Sequence, residues 1–326
     1  MKPIAGIARA MALAVAVLLA GAGAAAGPAE RKVSIGGLAA TYVPPIGNDR
    51  SPLAVIIAGS GATDRDGNSP QGLQTDAYKL LAYALAEHGI ASVRYDKRGI
   101  GGSADLVRNE QQLTIDAYAK DVSAVAAWGR QQAGISSVIL VGHSEGGVLA
   151  LLAARQASAN AIVLLSTPGR PLGAILRDQV SRPALPAELR VEALSIIAAL
   201  ERGEQVKSVG ADLEALFRPS VQPFLRSWIR TDPAQLLRGL AVPTLVIGGG
   251  RDIQVGRADF DALAAARADV RSHWDPAMGH TLKSDAEDIQ SQGRAYTDPT
   301  LELADELAGR VATFIYQATG VPKGRK

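Results

Sequence analysis

The chain has 326 residues, of which 47% are hydrophobic and 20% charged, with a formal net charge of +2 and no cysteine. A chain of this length can bury a large single core. The absence of cysteine excludes disulfide bonds, thiolate catalysis and cysteine-based metal sites. The small net charge gives no electrostatic footprint for nucleic acid.

The first 26 residues have the pattern of a secretory signal peptide. Lys2 and Arg9 form a positive n-region, Met11 to Ala20 is an apolar run, and Ala24 to Ala26 offer a small-residue cleavage site. The apolar run is short for a spanning helix, so we expect cleavage near Gly27 and no stable membrane span afterwards. An uncleaved anchor is the alternative. The mature protein is then expected in a bacterial periplasm or outside the cell.

Strand-like and helix-like segments alternate along the first half of the mature chain. Predicted helices begin at Thr75 and Thr114, and a third follows Ser144. Apolar runs predict strands at 33–43, 53–58, 91–96, 138–141 and 161–166. This rhythm predicts an α/β protein with a mostly parallel, doubly wound sheet and right-handed crossovers.

The alternation of predicted strands and helices stops at Pro168 and resumes at Val242. Helix-like stretches at 188–201, 211–217 and 222–230 lie between, so residues of about 170–240 are predicted to form a helical lid. Its aromatic residues Phe217, Phe224 and Trp228 are expected to influence substrate size. Strands at 244–248 and 270–274 and helices at 261–268 and 299–317 then complete one domain, residues 27–326, with Asp298 as the cap of the last helix.

A candidate nucleophile lies in the pattern Gly142-His143-Ser144-Glu145-Gly146, between an apolar strand and a helix. A sharp strand-to-helix turn there would hold Ser144 in a strained conformation, and the flanking glycines would avoid Cβ clashes. The turn would expose the hydroxyl of Ser144 and aim the backbone N–H of Glu145 toward a developing oxyanion. His143 is not expected to reach back as a base.

With these residues the chain resembles the α/β-hydrolase superfamily over nearly all of its mature length. The resemblance implies the α/β-hydrolase fold with a triad in the order serine, acid, histidine. The base is then His280, just past the last predicted strand, and the acid is Asp252, after three glycines that follow a buried strand. Asp275 is the competing acid, but it would leave the final strand too early.

The loop after the strand at 53–58 is expected to supply the second oxyanion donor. Its sequence, Gly-Ser-Gly-x-x-Asp-Arg-Asp-Gly-Asn over 59–68, resembles that of a subgroup of bacterial secreted serine esterases. By position the donor is the backbone N–H of Ser60, with Gly61 as second choice. A calcium loop is the alternative for Asp64, Asp66 and Asn68, but glycine at position 67 and threonine at position 75 do not fit its spacing.

A rival motif, G-x-G-x-x-A, occupies residues 99–104 and is typical of dinucleotide binding. Asp96, Lys97 and Arg98 separate it from the preceding strand, and no apolar-faced helix follows it. We therefore interpret the segment as a structural turn, which is common in α/β-hydrolases.

The sequence predicts a serine hydrolase that cleaves carboxylic esters of small acyl groups through an acyl-enzyme. Neither a metal ion nor an organic cofactor is expected, and the oligomeric state is left open. A serine peptidase or acyltransferase would use the same triad, and a non-catalytic binding protein could keep the fold.

Overall fold

A computed structural model of the chain describes residues 28–47, 50–181, 185–284 and 292–322. The signal peptide predicted for residues 1–26 lies outside these ranges. Within them, no helix combines the length and the apolar character needed to cross a membrane.

In the described part of the chain, eight strands form the main sheet, and two short strands form a separate hairpin. In chain order the strands are β1 Arg31–Ile35, β2 Leu38–Val43, β3 Ser51–Ile57, β4 Asn68–Ser69, β5 Leu73–Gln74, β6 Ala91–Tyr95, β7 Ile135–His143, β8 Ala161–Leu165, β9 Thr244–Gly249 and β10 Arg271–Asp275. The order across the main sheet is β1-β2-β6-β3-β7-β8-β9-β10, and β4 pairs with β5. β1 and β2 are antiparallel to their neighbours, and the other six strands run parallel.

Helices cover both faces of this sheet. They are α1 Ala77–Glu87, α2 Ile115–Arg130, α3 Glu145–Ala153, α4 Leu172–Val180, α5 Ala187–Glu201, α6 Glu214–Phe217, α7 Gln222–Trp228, α8 Pro233–Arg238, α9 Arg257–Ala264, α10 Gly293–Thr297 and α11 Leu307–Thr319. Alternate residues of β3 face opposite cores: Leu53 and Val55 pack with α2 and α3, whereas Ala54 and Ile56 pack with α1 and α11. The predicted doubly wound α/β-hydrolase sheet is confirmed.

Three predicted helix boundaries are wrong. The helix predicted at 261–268 runs from Arg257 to Ala264. The last helix begins at Leu307 instead of position 299, because Glu306 has a φ of 57° and this left-handed residue cannot continue a helix from upstream. Asp298 accepts a hydrogen bond from the backbone N–H of Thr300 and so holds a local turn. The N-cap residue of α1 is Asp76 and not the predicted Thr75. Oγ1 of Thr75 nevertheless accepts a hydrogen bond from the backbone N–H of Ala77 at 3.2 Å.

Candidate active site

Ser144 lies at the junction of β7 and α3 in a strained backbone conformation, with φ 53° and ψ −123°. The flanking glycines are required by close packing. A Cβ on Gly142 would lie 2.3 Å from the carbonyl oxygen of Gly146, and one on Gly146 would lie 2.2 Å from that of Ile57. Real Cβ atoms do not approach so closely, so the glycine pattern holds the serine at the tight turn that the sequence predicts.

His280 and Asp252 form a hydrogen-bonded pair beside this turn. Nδ1 of His280 lies 2.8 Å from Oδ2 of Asp252, and the Asp252 side chain is fully buried. The other carboxylate oxygen accepts the backbone N–H groups of Gln254 and Val255. Burial raises the pKa of Asp252, but attraction to His280 and these hydrogen bonds outweigh it, and the pKa is lowered. The carboxylate is therefore ionised at neutral pH and orients the imidazole.

Asp275 has a different task. Its Oδ1 accepts the N–H groups of Ala277 and Met278, so it holds the turn after β10. The end of β9 packs against this turn, and a Cβ on Gly249 would lie 2.1 Å from the carbonyl oxygen of Met278. That close approach brings the loop of Asp252 beside the loop of His280.

Ser144 lies between two cavities of unequal size. The smaller, of about 110 Å³, is also lined by His280, and the larger, of about 800 Å³, is also lined by Glu145. Within the described chain, the Ser144 hydroxyl makes no hydrogen bond to the ring of His280, whose side chain bonds to Asp252. Catalytic hydrogen bonds are often long in ligand-free enzymes and tighten in the substrate complex.

The predicted oxyanion loop lies against the serine. A Cβ on Gly59 would lie 3.3 Å from Cβ of Ser144, and Ser60 lines both cavities. Glu145 is the first residue of α3, so its backbone N–H has no acceptor within the helix. The structure thus brings both predicted donor residues, Ser60 and Glu145, next to the nucleophile candidate. Gly61 borders only the larger cavity.

His143 is locked between two partners, which the sequence did not reveal. Its Nδ1 lies 2.7 Å from the hydroxyl of Tyr78, and its Nε2 lies 2.8 Å from the carbonyl oxygen of His280. Burial and the proximity of His280 lower the pKa of His143 to about 3, so the ring is neutral. Nε2–H then donates to His280, and Nδ1 accepts from Tyr78, whose oxygen accepts the N–H of Gly59 at 3.0 Å. Both ring nitrogens are engaged in hydrogen bonds, so neither is free to accept a proton from Ser144 in this arrangement.

Lys97 is a second residue that sequence reasoning missed as part of the site. It is 2% exposed, and its Nζ donates to the carbonyl oxygen of Gly59 at 2.6 Å and to Oε1 of Glu145 at 2.7 Å. The available signal was a lysine placed directly after a buried strand, where a charged side chain needs a partner. The segment that follows, Gly101–Leu106, is a short 3-10 helix, so the rival dinucleotide motif is a turn.

The acidic residues of the 59–68 loop stabilise the loop itself. Oδ1 of Asp64 accepts the N–H groups of Asp66 and Asn68, and the side-chain oxygen of Asn68 accepts the N–H of Thr75. Asp66 also binds Arg94 at 2.7 Å. These local hydrogen bonds hold the loop shape, as the sequence predicted.

Helices between β8 and β9 form the outer wall of the larger cavity. Leu172 and Leu176 of α4, with Phe224 and Trp228 of α7, line it. Phe217 was expected beside them, but its side chain is 0% exposed and is not among the described residues of the cavity wall. It packs into the core instead, because α6 turns that ring inward.

The sequence matches the model of the family described as serine aminopeptidase, S33, over residues 72–287. The chain belongs to this family. It is 30% identical over 235 residues to Esterase EstD of Thermotoga maritima, an alignment that covers 71% of this chain and 53% of the relative. The chain thus spans about half the length of that curated relative.

Solved structures show the same fold. Est1E of Butyrivibrio proteoclasticus with bound ferulic acid superposes with a TM-score of 0.56 and 17% identity, covering 89% of this chain and 100% of that one. The proline iminopeptidase of Mycobacterium smegmatis has a TM-score of 0.54 and 20% identity, covering 89% and 99%. Identities this low establish the shared fold of this S33 family member and nothing about its substrate.

Proposed function

We propose that the protein hydrolyses carboxylic esters through an acyl-enzyme formed on Ser144. The observation that carries the proposal is the strained serine beside a buried aspartate–histidine pair with a 2.8 Å hydrogen bond. The similarity to an esterase supports the choice of ester bonds.

In the proposed mechanism, Ser144 Oγ attacks the ester carbonyl while Nε2 of His280 accepts its proton. Asp252 accepts Nδ1–H of His280, which holds the reactive tautomer and stabilises the imidazolium. The N–H groups of Ser60 and Glu145 donate to the tetrahedral oxyanion. The alcohol then leaves with the proton from His280. A water molecule, deprotonated by the same imidazole, hydrolyses the acyl-enzyme and restores the free serine.

The family description names an aminopeptidase, and that activity is the rival. An aminopeptidase must bind the ammonium group of its substrate, for which an unpaired carboxylate is the natural ligand. Among the described residues that line the two cavities, the carboxylates belong to Glu110 and Glu145. Glu110 already binds Arg218, and Glu145 binds Lys97. Both charges are already compensated, which favours an ester over a peptide with a free amino terminus.

Residues 170–240 serve in this proposal as a lid that covers the larger cavity and limits substrate shape. Their position between β8 and β9 and their contribution to the cavity wall support that role. Export by the N-terminal segment stays part of the proposal, on the strength of its sequence pattern alone.

The proposal can be tested with a fluorophosphonate probe and with two substrates, one for each of the two activities. The probe should label the wild-type protein and fail to label Ser144→Ala. Ethyl acetate should be hydrolysed with a kcat/KM at least about 10³-fold above that for alanine 4-nitroanilide, because the amide gains no amino-group recognition in this site. Preference for the anilide would instead establish the aminopeptidase.

A further inference from the structure

The two cavities at Ser144 indicate where the alcohol and the acyl group of an ester substrate would bind. Ser60, Ser144 and Gln254 line both, so the serine is at their junction. His280 borders the smaller cavity and Glu145 the larger one. The leaving oxygen must lie within hydrogen-bond reach of the base, about 2.6–3.2 Å, so the alcohol belongs on the side of His280.

The acyl group then takes the other side. With the carbonyl oxygen at the N–H groups of Ser60 and Glu145, the remaining substituent of the tetrahedral carbon extends into the larger cavity. That cavity measures about 800 Å³ against about 110 Å³ for the smaller one. The part of its wall formed by α4 and α7 is apolar, with the buried side chains of Leu176 and Trp228, whereas charged side chains such as Arg98 and Arg108 line another part. The apolar part suits a bulky hydrocarbon group.

In place of the small acyl groups that the sequence led us to expect, we propose that the substrates are esters of a short alcohol with a bulky, apolar acyl group. This inference rests on the proposed function and specifies which side of the ester is the larger. Two isomeric esters, methyl octanoate and heptyl acetate, contain the same atoms on opposite sides of the ester bond. The kcat/KM for methyl octanoate should be at least about tenfold higher, since misplaced methylene groups in a tight pocket cost 10-fold or more.

Matched variants separate the two cavities. Leu73→Ala, in the wall of the smaller cavity, should raise kcat/KM for heptyl acetate several-fold with little change for methyl octanoate. Leu176→Phe, in the wall of the larger cavity, should lower kcat/KM for methyl octanoate and spare methyl acetate. Equal rates for both isomers, or a preference for heptyl acetate, overturn the inference while leaving the esterase proposal intact. Failure to cleave any ester overturns the esterase proposal itself.

A different observation carries a second inference, which concerns Lys97. A buried ammonium group costs several kcal/mol unless it is fully paired, yet this one is 2% exposed at the edge of the site. It bridges the carbonyl oxygen of Gly59 and the carboxylate of Glu145 at 2.6 and 2.7 Å. One cation therefore ties the oxyanion loop to the first residue of α3.

Peptide geometry shows what this bridge controls. In a planar trans peptide the carbonyl C=O and the N–H of the next residue point in opposite directions. Lys97 holds the C=O of Gly59, so it also fixes the direction of the Ser60 N–H, the proposed oxyanion donor. The N–H of Gly59 is fixed separately by Tyr78. We infer that Lys97 is a positioning residue that sets the direction of the Ser60 N–H relative to Ser144.

Lys97→Met should lower kcat about 100-fold with KM changed only a few-fold, because a misdirected donor weakens transition-state binding selectively. The affinity for a trifluoromethyl ketone, which forms a tetrahedral oxyanion on the serine, should fall in parallel. Since the single variant leaves Glu145 uncompensated, the double variant Lys97→Met/Glu145→Gln keeps the test valid if the single one fails to fold.

The control is Arg170→Met, which breaks an ion pair with the buried carboxylate of Asp259 away from the oxyanion loop. It should lower the melting temperature without changing the inhibitor affinity. Folded Lys97 variants with wild-type kcat and wild-type inhibitor affinity would show that the lysine is only a structural residue.

Discussion

The larger cavity has two walls that are built in different ways. On the sheet side, Lys97, Ser144 and Glu145 are held by directional hydrogen bonds, a buried ion pair and a strained turn. On the other side, the helices between β8 and β9 present apolar side chains such as Leu176 and Phe224. Directional contacts tolerate little displacement, whereas apolar packing adapts to shape. Changes in the first wall should therefore alter chemistry, and changes in the second should alter substrate preference.

The largest effect is expected from Ser144→Ala. Without the hydroxyl no acyl-enzyme can form, so kcat for ester hydrolysis should fall on the order of 10⁶-fold. Alanine keeps the Cβ atom of serine, so the backbone strain at φ 53° is unchanged and the variant should stay folded. Steady-state kinetics with a melting curve as the control test this. Near-wild-type turnover in a folded Ser144→Ala protein would refute the mechanism.

The next effect separates the two aspartates. Asp252→Asn removes control of the His280 tautomer and should lower kcat on the order of 10⁴-fold near neutral pH. Asp275→Asn loses acceptor strength toward the N–H groups of Ala277 and Met278 and should cost activity only a few-fold. Both variants keep the side-chain volume, so their kcat values can be compared directly. The reverse ranking would transfer the acid role to Asp275.

The wall on the sheet side was largely predictable, because short sequence patterns determine most of its geometry. The glycines around Ser144 mark a tight turn, and the strand before Asp252 and the loop position of His280 place both at the carboxyl edge of a parallel sheet. Contacts between distant segments were not predictable in the same way. Lys97 forms hydrogen bonds with Gly59 and Glu145, which are 38 and 48 residues away in the sequence. No local sequence pattern predicts these contacts.

For the wall formed by the helices between β8 and β9, the sequence predicted only that the segment is helical. Its helices could be located from apolar spacing, but the inward face could not, since Phe217 and Phe224 are equally apolar and only the second lines the cavity. The last helix shows the same limit, because the left-handed Glu306 that precedes it has no sequence signature. Tertiary packing decides such details.

A smaller effect tests the neutral state of His143. Its pKa in the folded protein is about 3, against 6.5 for the free side chain. Below pH 6.5 the unfolded chain therefore binds a proton that the folded chain does not, and stability is lost as the pH falls toward 3. His143→Gln removes this dependence. When the pH is lowered from 8 to 4.5, the unfolding free energy of the His143→Gln variant should fall by about 3 kcal/mol less than that of the wild type.

Urea unfolding at the two pH values measures this difference. His273→Gln is the matched control, because the imidazole of His273 is only half-buried on β10 and stays in contact with water. An identical pH dependence in the His143→Gln and wild-type proteins would show that the buried imidazole takes up a proton in the folded state.

The smallest effect concerns the apolar wall. The ring of Phe224 lies 5.4 Å from that of Tyr118 and 6.2 Å from that of Trp228, so its removal opens the cavity at one defined place. Phe224→Ala should change the octanoyl-to-acetyl ratio of kcat/KM for methyl esters about tenfold, while kcat for methyl acetate stays within about threefold. Phe217→Leu is the control, because that ring is buried in the same insertion without lining the cavity. It should lower the melting temperature and leave the ratio unchanged. If both variants left the ratio unchanged, residues 170–240 would not govern substrate selection, and the apolar wall would be packing alone.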